Sequence, residues 1–146
     1  MTQRATESIT VNASPETIFA VVTDFEHYGD WVSDLKRIEV LSRDDQGRAS
    51  NVEFRAAAFG RSTTYTLEYD YAKAPHELSW RQVQGDLTET LNGCYRFEAD
   101  GDETIVTYEL EVEMLVPIPT FIKSRAAYRI QIQALRELKA QAEKLR

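Results

Sequence analysis

The sequence predicts an α+β fold: a curved antiparallel sheet of about seven strands around a long C-terminal helix, with two short helices after the first strand. Three observations predict it. From residue 35 to residue 116 apolar and polar side chains alternate with a period of two, interrupted by turn-forming clusters. The connections between these runs are hairpin-length, which implies antiparallel neighbours. After "VPIPTF" the chain continues to residue 146 without glycine or proline, as one long helix requires.

Each element has its own signal. Residues 5–12, "ATESITVN", carry strand-forming side chains. Ser14 and Pro15 then open a helix, since serine is a good N-cap and proline fits the first helical position. Ile18, Phe19, Val21 and Val22 form its apolar face, and it ends near Asp24. A second short helix is expected across residues 24–32, "DFEHYGDWV". The strands that follow are "LKRIEVLSRD", "ASNVEFRAAA", "STTYTLEYDY", "LSWRQVQ", "TETLNGCYRFEAD" and "ETIVTYELEVEMLV". Turns fall at Gly47 in "DDQGR", at residues 59–60, and in "AKAPHE", "GDL" and "DGDE". Apart from the helical insertion after the first strand, the strands are adjacent in sequence and are expected to form an antiparallel meander.

The last strand alternates most clearly. Val106, Tyr108, Leu110, Val112, Met114 and Val116 point one way, while Thr107, Glu109, Glu111 and Glu113 point the other. One face of the sheet is therefore buried and one wet. On the terminal helix two stripes compete for the inward face. One runs through Phe121, Arg125 and Tyr128; the other through Ile122, Ala126, Ile130, Ala134 and Leu138.

Composition narrows the function classes. A chain of 146 residues, 42% hydrophobic and 28% charged, suits one globular domain over residues 1–146. The formal net charge of −7 argues against nucleic acid and against anionic membranes, and no basic stretch with interleaved aromatics overrides it. The lone Cys94 makes no internal disulfide and no metal set, and reads as a small hydrophobe in a strand. No apolar signal core and no run of about 18 apolar residues is present, which points to a cytoplasmic setting without membrane insertion. No motif calls for a cofactor or a metal. Nothing in the sequence fixes an oligomeric state.

Several segments agree, in order, with one known pattern. "VNASPETIFAVVTDFEHYGDW", with Asp24, Tyr28 and Trp31, is followed by "KRIEVL", "YTLEY", "LSW", "LNGCYRFE" and "TIVTYELEVEM" with its proline exit. Together they resemble the START-like, helix-grip superfamily (SRPBCC), and within it the polyketide cyclase/dehydrase and coenzyme Q-binding-like branch. The resemblance spans nearly the whole chain. It implies a large apolar cavity between the concave sheet and the long helix. It also implies a hydrophobic guest, such as a lipid, a quinone or a polyketide-like molecule, bound or carried there. Cavities of this kind run to roughly 300–1,000 Å³.

The residues expected to line such a cavity are Phe19, Tyr28, Trp31, Phe54, Tyr65, Leu67, Tyr69, Trp80, Tyr95, Tyr108, Leu110, Val112, Phe121, Arg125 and Tyr128. Tyr28 and Trp31 either form a lip over the guest or plug the end of the core, with Asp24 anchoring the local helix. Arg125 either enters the cavity, where it would bind a carboxylate or an enolate, or turns outward. The tyrosines would offer hydroxyls. His27 is either an acid or base near the mouth or an exposed helix residue, and His76 is a solvated turn residue. Gly60 and Gly85 either hinge an entrance or merely shape turns, with residues 117–119 as the opposite wall. The acidic ladder of Glu109, Glu111 and Glu113 is solvated surface.

No catalytic set of the family matches this sequence residue by residue. Three functions therefore stand: a binding or carrier protein, a polyketide cyclase/aromatase or dehydratase, and a protein–protein interaction module. The last would announce itself by an exposed apolar patch outside the cavity.

Overall fold

The protein is described from a computed structural model, which covers residues 3–58 and 60–145. Strand β1 (Gln3–Val11) leads into helix α1 (Pro15–Thr23) and a 3₁₀ segment (Phe25–Asp30). Six strands follow: β2 (Leu35–Arg43), β3 (Ala49–Ala58), β4 (Arg61–Asp70), β5 (Glu77–Gly85), β6 (Thr88–Asp100) and β7 (Glu103–Met114). Helix α2 (Thr120–Leu145) closes the chain. These bounds lie within about two residues of the sequence reading, and the α+β helix-grip architecture is the one expected.

The structure supplies the neighbour of the first strand, which the sequence leaves open. β2 to β7 form the predicted meander, but β1 does not neighbour β2. The sheet order is β1-β7-β6-β5-β4-β3-β2, so the first strand pairs with the last, Gln3 opposite Val112 and Val11 opposite Thr104. Two short helices intervene between β1 and β2, and they carry the chain across to the far edge.

Local chemistry accounts for the elements. The Ser14 side chain accepts from the Thr17 amide at 3.2 Å, and Pro15 occupies the first turn of α1. Gly47, Gly60 and Gly101 take φ of +80°, +80° and +64° in the hairpin turns, where side chains are disfavoured. The expected turn at residues 59–60 lies partly on Phe59, outside the described residues. Register shifts in the β2–β3, β4–β5 and β6–β7 pairs bend the sheet.

β7 shows the buried and wet faces as predicted. Val106, Tyr108, Leu110, Val112 and Met114 are buried, while Val116, beyond the strand, is 51% exposed. On the outer face Arg4 pairs with Glu111 at 2.7 Å, Arg81 with Glu68 at 2.8 Å, and Arg96 closely with Glu109. Cys94 also lies on that face, beside Glu109. Burial and the Glu109 carboxylate push its thiol up to about 11, so it stays protonated and unreactive.

The phase of α2 differs from both expected stripes. Its buried face is Lys123, Ala127, Gln131, Leu135, Leu138 and Ala142. Gln131 explains how a polar side chain holds that position: its Nε2 donates at 3.0 Å to the backbone carbonyls of both Ala5 and Tyr108. The helix is thereby pinned across β1 and β7. At its other end Lys139 reaches the Thr10 carbonyl at 3.0 Å, and the Asn12 amide donates to Glu143 at 2.8 Å.

Candidate functional site

A hollow of about 170 Å³ lies between the sheet and the middle of α2. β3, β4, β5, β6 and β7 supply its floor through inward side chains of alternate residues, and the segment around Tyr28 to Leu35 supplies its rim. Small residues leave the space open: Ala56 and Ala58 on β3, and Ala134 on α2. At the floor Trp80 lies against Gly93, its pairing partner in β6. A Cβ at Gly93 would come within 2.8 Å of the Trp80 ring and would also strike the Glu109 carbonyl, so only glycine lets the indole lie there.

Of the residues expected from sequence, Tyr28, Trp31, Phe54, Tyr65, Leu67, Tyr69, Trp80, Tyr95 and Tyr108 line this hollow. Six do not. Phe19 packs edge-on against Phe97 at 6.1 Å, away from the cavity. Leu110 and Val112 are inward but are covered within the packed core. Phe121 and Tyr128 are 65% and 52% exposed, and Arg125 is exposed with them. The cause is helical phase: Arg125 is two residues past the buried Lys123, about 200° around the axis.

The sequence reading missed Leu91, Ile130 and Ala134, which line the hollow, and the polar rim of Asp34, Gln133 and Glu137. Leu91 shares the β6 face with Tyr95, so alternation carried its signal. Ile130 and Ala134 belong to the second of the two stripes weighed for the terminal helix. The alanines and the rim residues carry no signal in a single sequence.

The aromatic walls touch one another. Tyr95 and Tyr108 lie 4.7 Å apart, Trp80 and Tyr95 5.3 Å, and Phe54 stacks on Tyr65 at 5.4 Å. Tyr28 donates its hydroxyl to the Val22 carbonyl, and Tyr71, outside the hollow, donates to Ala49 at 2.7 Å. The side chains of Tyr65, Tyr69, Tyr95 and Tyr108 all line the cavity, while the buried polar side-chain atom left without a partner among the described residues is Gln131 Oε1. Burial pushes Tyr65 up to about 12 and raises Tyr69, Tyr95 and Tyr108 well above the usual phenol range. These four groups are therefore neutral donors and not bases at ordinary pH.

The segment over residues 24–32 resolves into two parts. Phe25 and Tyr28 are buried, with Phe25 4.6 Å from Tyr69 and 5.0 Å from Tyr28. Trp31 is half-buried, 5.0 Å from Tyr28, and stands at the rim. Asp24 holds His27 at 2.8 Å, which raises the imidazole pKa through that hydrogen bond and the Asp24 charge. Both are exposed and away from the lining.

The mouth is held by a polar clasp. Gln133 donates to Ser33 Oγ and to Asp34 Oδ2, each at 2.9 Å, and the Ser33 amide donates to Glu137 at 3.2 Å. The turn after Gly85 is not a free hinge, since Asp86 accepts from Thr63 Oγ1 at 2.5 Å and from the Thr64 amide at 3.1 Å. Residues 117–119 wall a separate surface groove, not this cavity. Among the described residues no cluster of His, Cys, Asp and Glu is arranged to hold a metal ion.

Comparison with known proteins places this geometry. Residues 2–143 match the family described as polyketide cyclase / dehydrase and lipid transport. A START superfamily protein from Mycobacterium smegmatis superposes with a TM-score of 0.91 at 24% identity, covering 98% of this chain and 99% of that one. The Zhui aromatase/cyclase from Streptomyces sp. R1128 gives 0.86 at 16% identity, covering 99% and 95%. A major latex-like protein from Panax ginseng gives 0.74 at 12% identity, covering 97% of each. None of the curated proteins matches. At these identities the structural likeness is one of fold.

Proposed function

Because the chain belongs to the polyketide cyclase / dehydrase and lipid transport family, we propose that it binds and carries a small apolar molecule in the hollow beneath α2. The observation that supports this reading is the hollow itself: about 170 Å³ of space walled by aromatic and aliphatic side chains. It is smaller than the roughly 300–1,000 Å³ of typical ligand sites. A dry cavity of about 150 Å³ holds one benzene-sized ring. The guest is therefore ring-sized, or enters as one ring of a larger molecule.

Charge narrows the class. Among the described residues no Lys, Arg or His lines the hollow, and its rim carries the carboxylates of Asp34 and Glu137. An acidic rim without an interior cation disfavours fatty acids and other carboxylates. Four neutral phenol hydroxyls suit a carbonyl or hydroxyl oxygen on the guest. A quinone-like or polyketide-like ring meets these demands better than a fatty acid does.

The test uses the protein's own reporters. Both tryptophans of the chain, Trp31 and Trp80, line the hollow. Titration with 1,4-naphthoquinone is expected to quench their fluorescence saturably, and decanoate is expected not to. Protein purified from its host would be extracted and its bound species identified by mass spectrometry. Absence of any co-purified apolar species, together with no saturable quenching, overturns the reading.

A second reading is ring closure on a polyketide chain, favoured by the aromatase/cyclase among the structural neighbours. The tyrosine hydroxyls are suited to hold a ketone or an enolate oxygen. Proton abstraction needs a base, and the carboxylates nearest the hollow stand at its rim. With Arg125 in solvent, the interior keeps donors alone. This favours binding over catalysis.

A further inference from the structure

The stripe through Phe121, Arg125 and Tyr128 is continuous on α2, yet it faces solvent. Phe121 is 65% exposed and Tyr128 52%, and beside them Leu115, Val116 and Ile122 are 52%, 51% and 45% exposed. Single exposed hydrophobes are ordinary on any protein. Here five of the eight large exposed hydrophobes of the described residues fall between positions 115 and 128. Such concentration marks an interaction surface.

The charges on this face are equally segregated. From residue 114 to residue 136 the chain has four basic residues, Lys123, Arg125, Arg129 and Arg136, and no acidic one, although the net charge is −7; Glu113 borders this stretch and lines one groove with Leu115, Val116 and Lys123. Arg125, Arg129 and Arg136 are exposed, at spacings of four and seven that keep them on the side of Phe121 and Tyr128. None of these three has a carboxylate partner among the described residues. Elsewhere Arg4, Arg37, Arg43, Arg48, Arg81 and Arg96 each hold one.

We propose that this face docks the protein reversibly on an anionic lipid bilayer. Charge complementarity selects the occupant: the unpaired guanidiniums meet phosphate headgroups, while the acidic remainder of the surface is repelled and fixes the orientation. The apolar side chains interleaved among them reach the boundary with the acyl chains, and long arginine stems span both zones. No helix among the described residues is long and apolar enough to cross a membrane, so the contact is adsorption at the interface. The net-charge argument against anionic membranes fails here because the charges are not spread evenly.

The full chain would be floated with phosphatidylcholine vesicles, with and without phosphatidylglycerol. Binding is expected only with phosphatidylglycerol, and it weakens as salt rises. Each arginine near the surface contributes roughly a five-fold gain in partition, so R125Q/R129Q lowers it roughly twenty-fold. F121S/Y128S also loses binding, and R81Q, whose guanidinium is paired with Glu68, does not. All substituted side chains are exposed, and circular dichroism would confirm that the variants fold. Three results overturn the proposal: no binding to the anionic vesicles, binding that the variants leave unchanged, or a solution dimer that F121S/Y128S dissolves.

Discussion

The two ends of the space under α2 are built from the same sheet and the same helix, yet one is solid and the other hollow. At the solid end α1 packs on α2, and Ile18 and Val22 of the one and Leu138 and Ala142 of the other are fully buried in the same core as Leu78 and Val106. At the hollow end no helix fills the gap. The 3₁₀ segment stops at the rim, and Ala56, Ala58 and Ala134 are too short to meet across it. The difference teaches that cavity formation here is a matter of what is withheld. The sheet curves throughout, and α1 fills only one end.

Four experiments would break or sharpen that contrast. Leu138→Ala, at the solid end, is expected to cost about 2–5 kcal/mol, read from denaturant unfolding. A matched pair on one helix then separates the ends directly. Ala142→Leu overpacks the solid end and should cost about 1–3 kcal/mol. Ala134→Leu, two turns earlier, grows into open space; it should leave stability unchanged or higher and abolish naphthoquinone quenching. Equal losses at positions 134 and 142 would mean that no hollow exists in solution.

Alkaline titration probes the aromatic wall. Tyr65 in that wall, and Tyr71 in the core outside it, have phenol pKa values raised from 10.0 to about 12 by burial. The folded state therefore keeps its protons where the unfolded chain releases them, and stability falls as pH rises. The contribution is whole below about pH 10 and is lost as pH climbs through 12. In the Y128F variant, which removes the exposed tyrosine, tyrosinate absorbance should appear together with unfolding; ionisation at pH 10 in that folded variant would show an open, wetted wall. The smallest effect is at the clasp. Gln133→Ala removes two rim hydrogen bonds, should cost under about 1.5 kcal/mol, and should speed naphthoquinone release in stopped-flow fluorescence.

Most of the sheet was legible, and much of the helix was not, for a geometric reason. A strand offers two faces, so the alternation of Tyr65 with Leu67 or of Tyr95 with Phe97 fixes which side is buried. A helix offers a continuous circle of phases. On α2 the bulky apolar side chains Phe121 and Tyr128 point outward, and Gln131 is buried because two backbone carbonyls receive its amide. Hydrophobicity alone therefore left two stripes open, and the one through Phe121, Arg125 and Tyr128, which brought Arg125 into the expected site, is the one that faces solvent. The neighbour of β1 was hidden too, since nothing local in residues 3–11 names a partner in residues 104–112. The aromatic half of the hollow was readable; its alanines, whose contribution is empty space, left no mark.

The pairing of β1 with β7 has a consequence for how the molecule assembles. Gln3 and Val112 are neighbours across more than a hundred intervening positions. α2 then bonds to carbonyls on both of those strands. The grip of the helix thus cannot form until nearly the full length is available, and folding is expected to be slow and late to close. A nascent chain would wait with an unmated border, and during that interval the meander, not the finished protein, is what chaperones would meet.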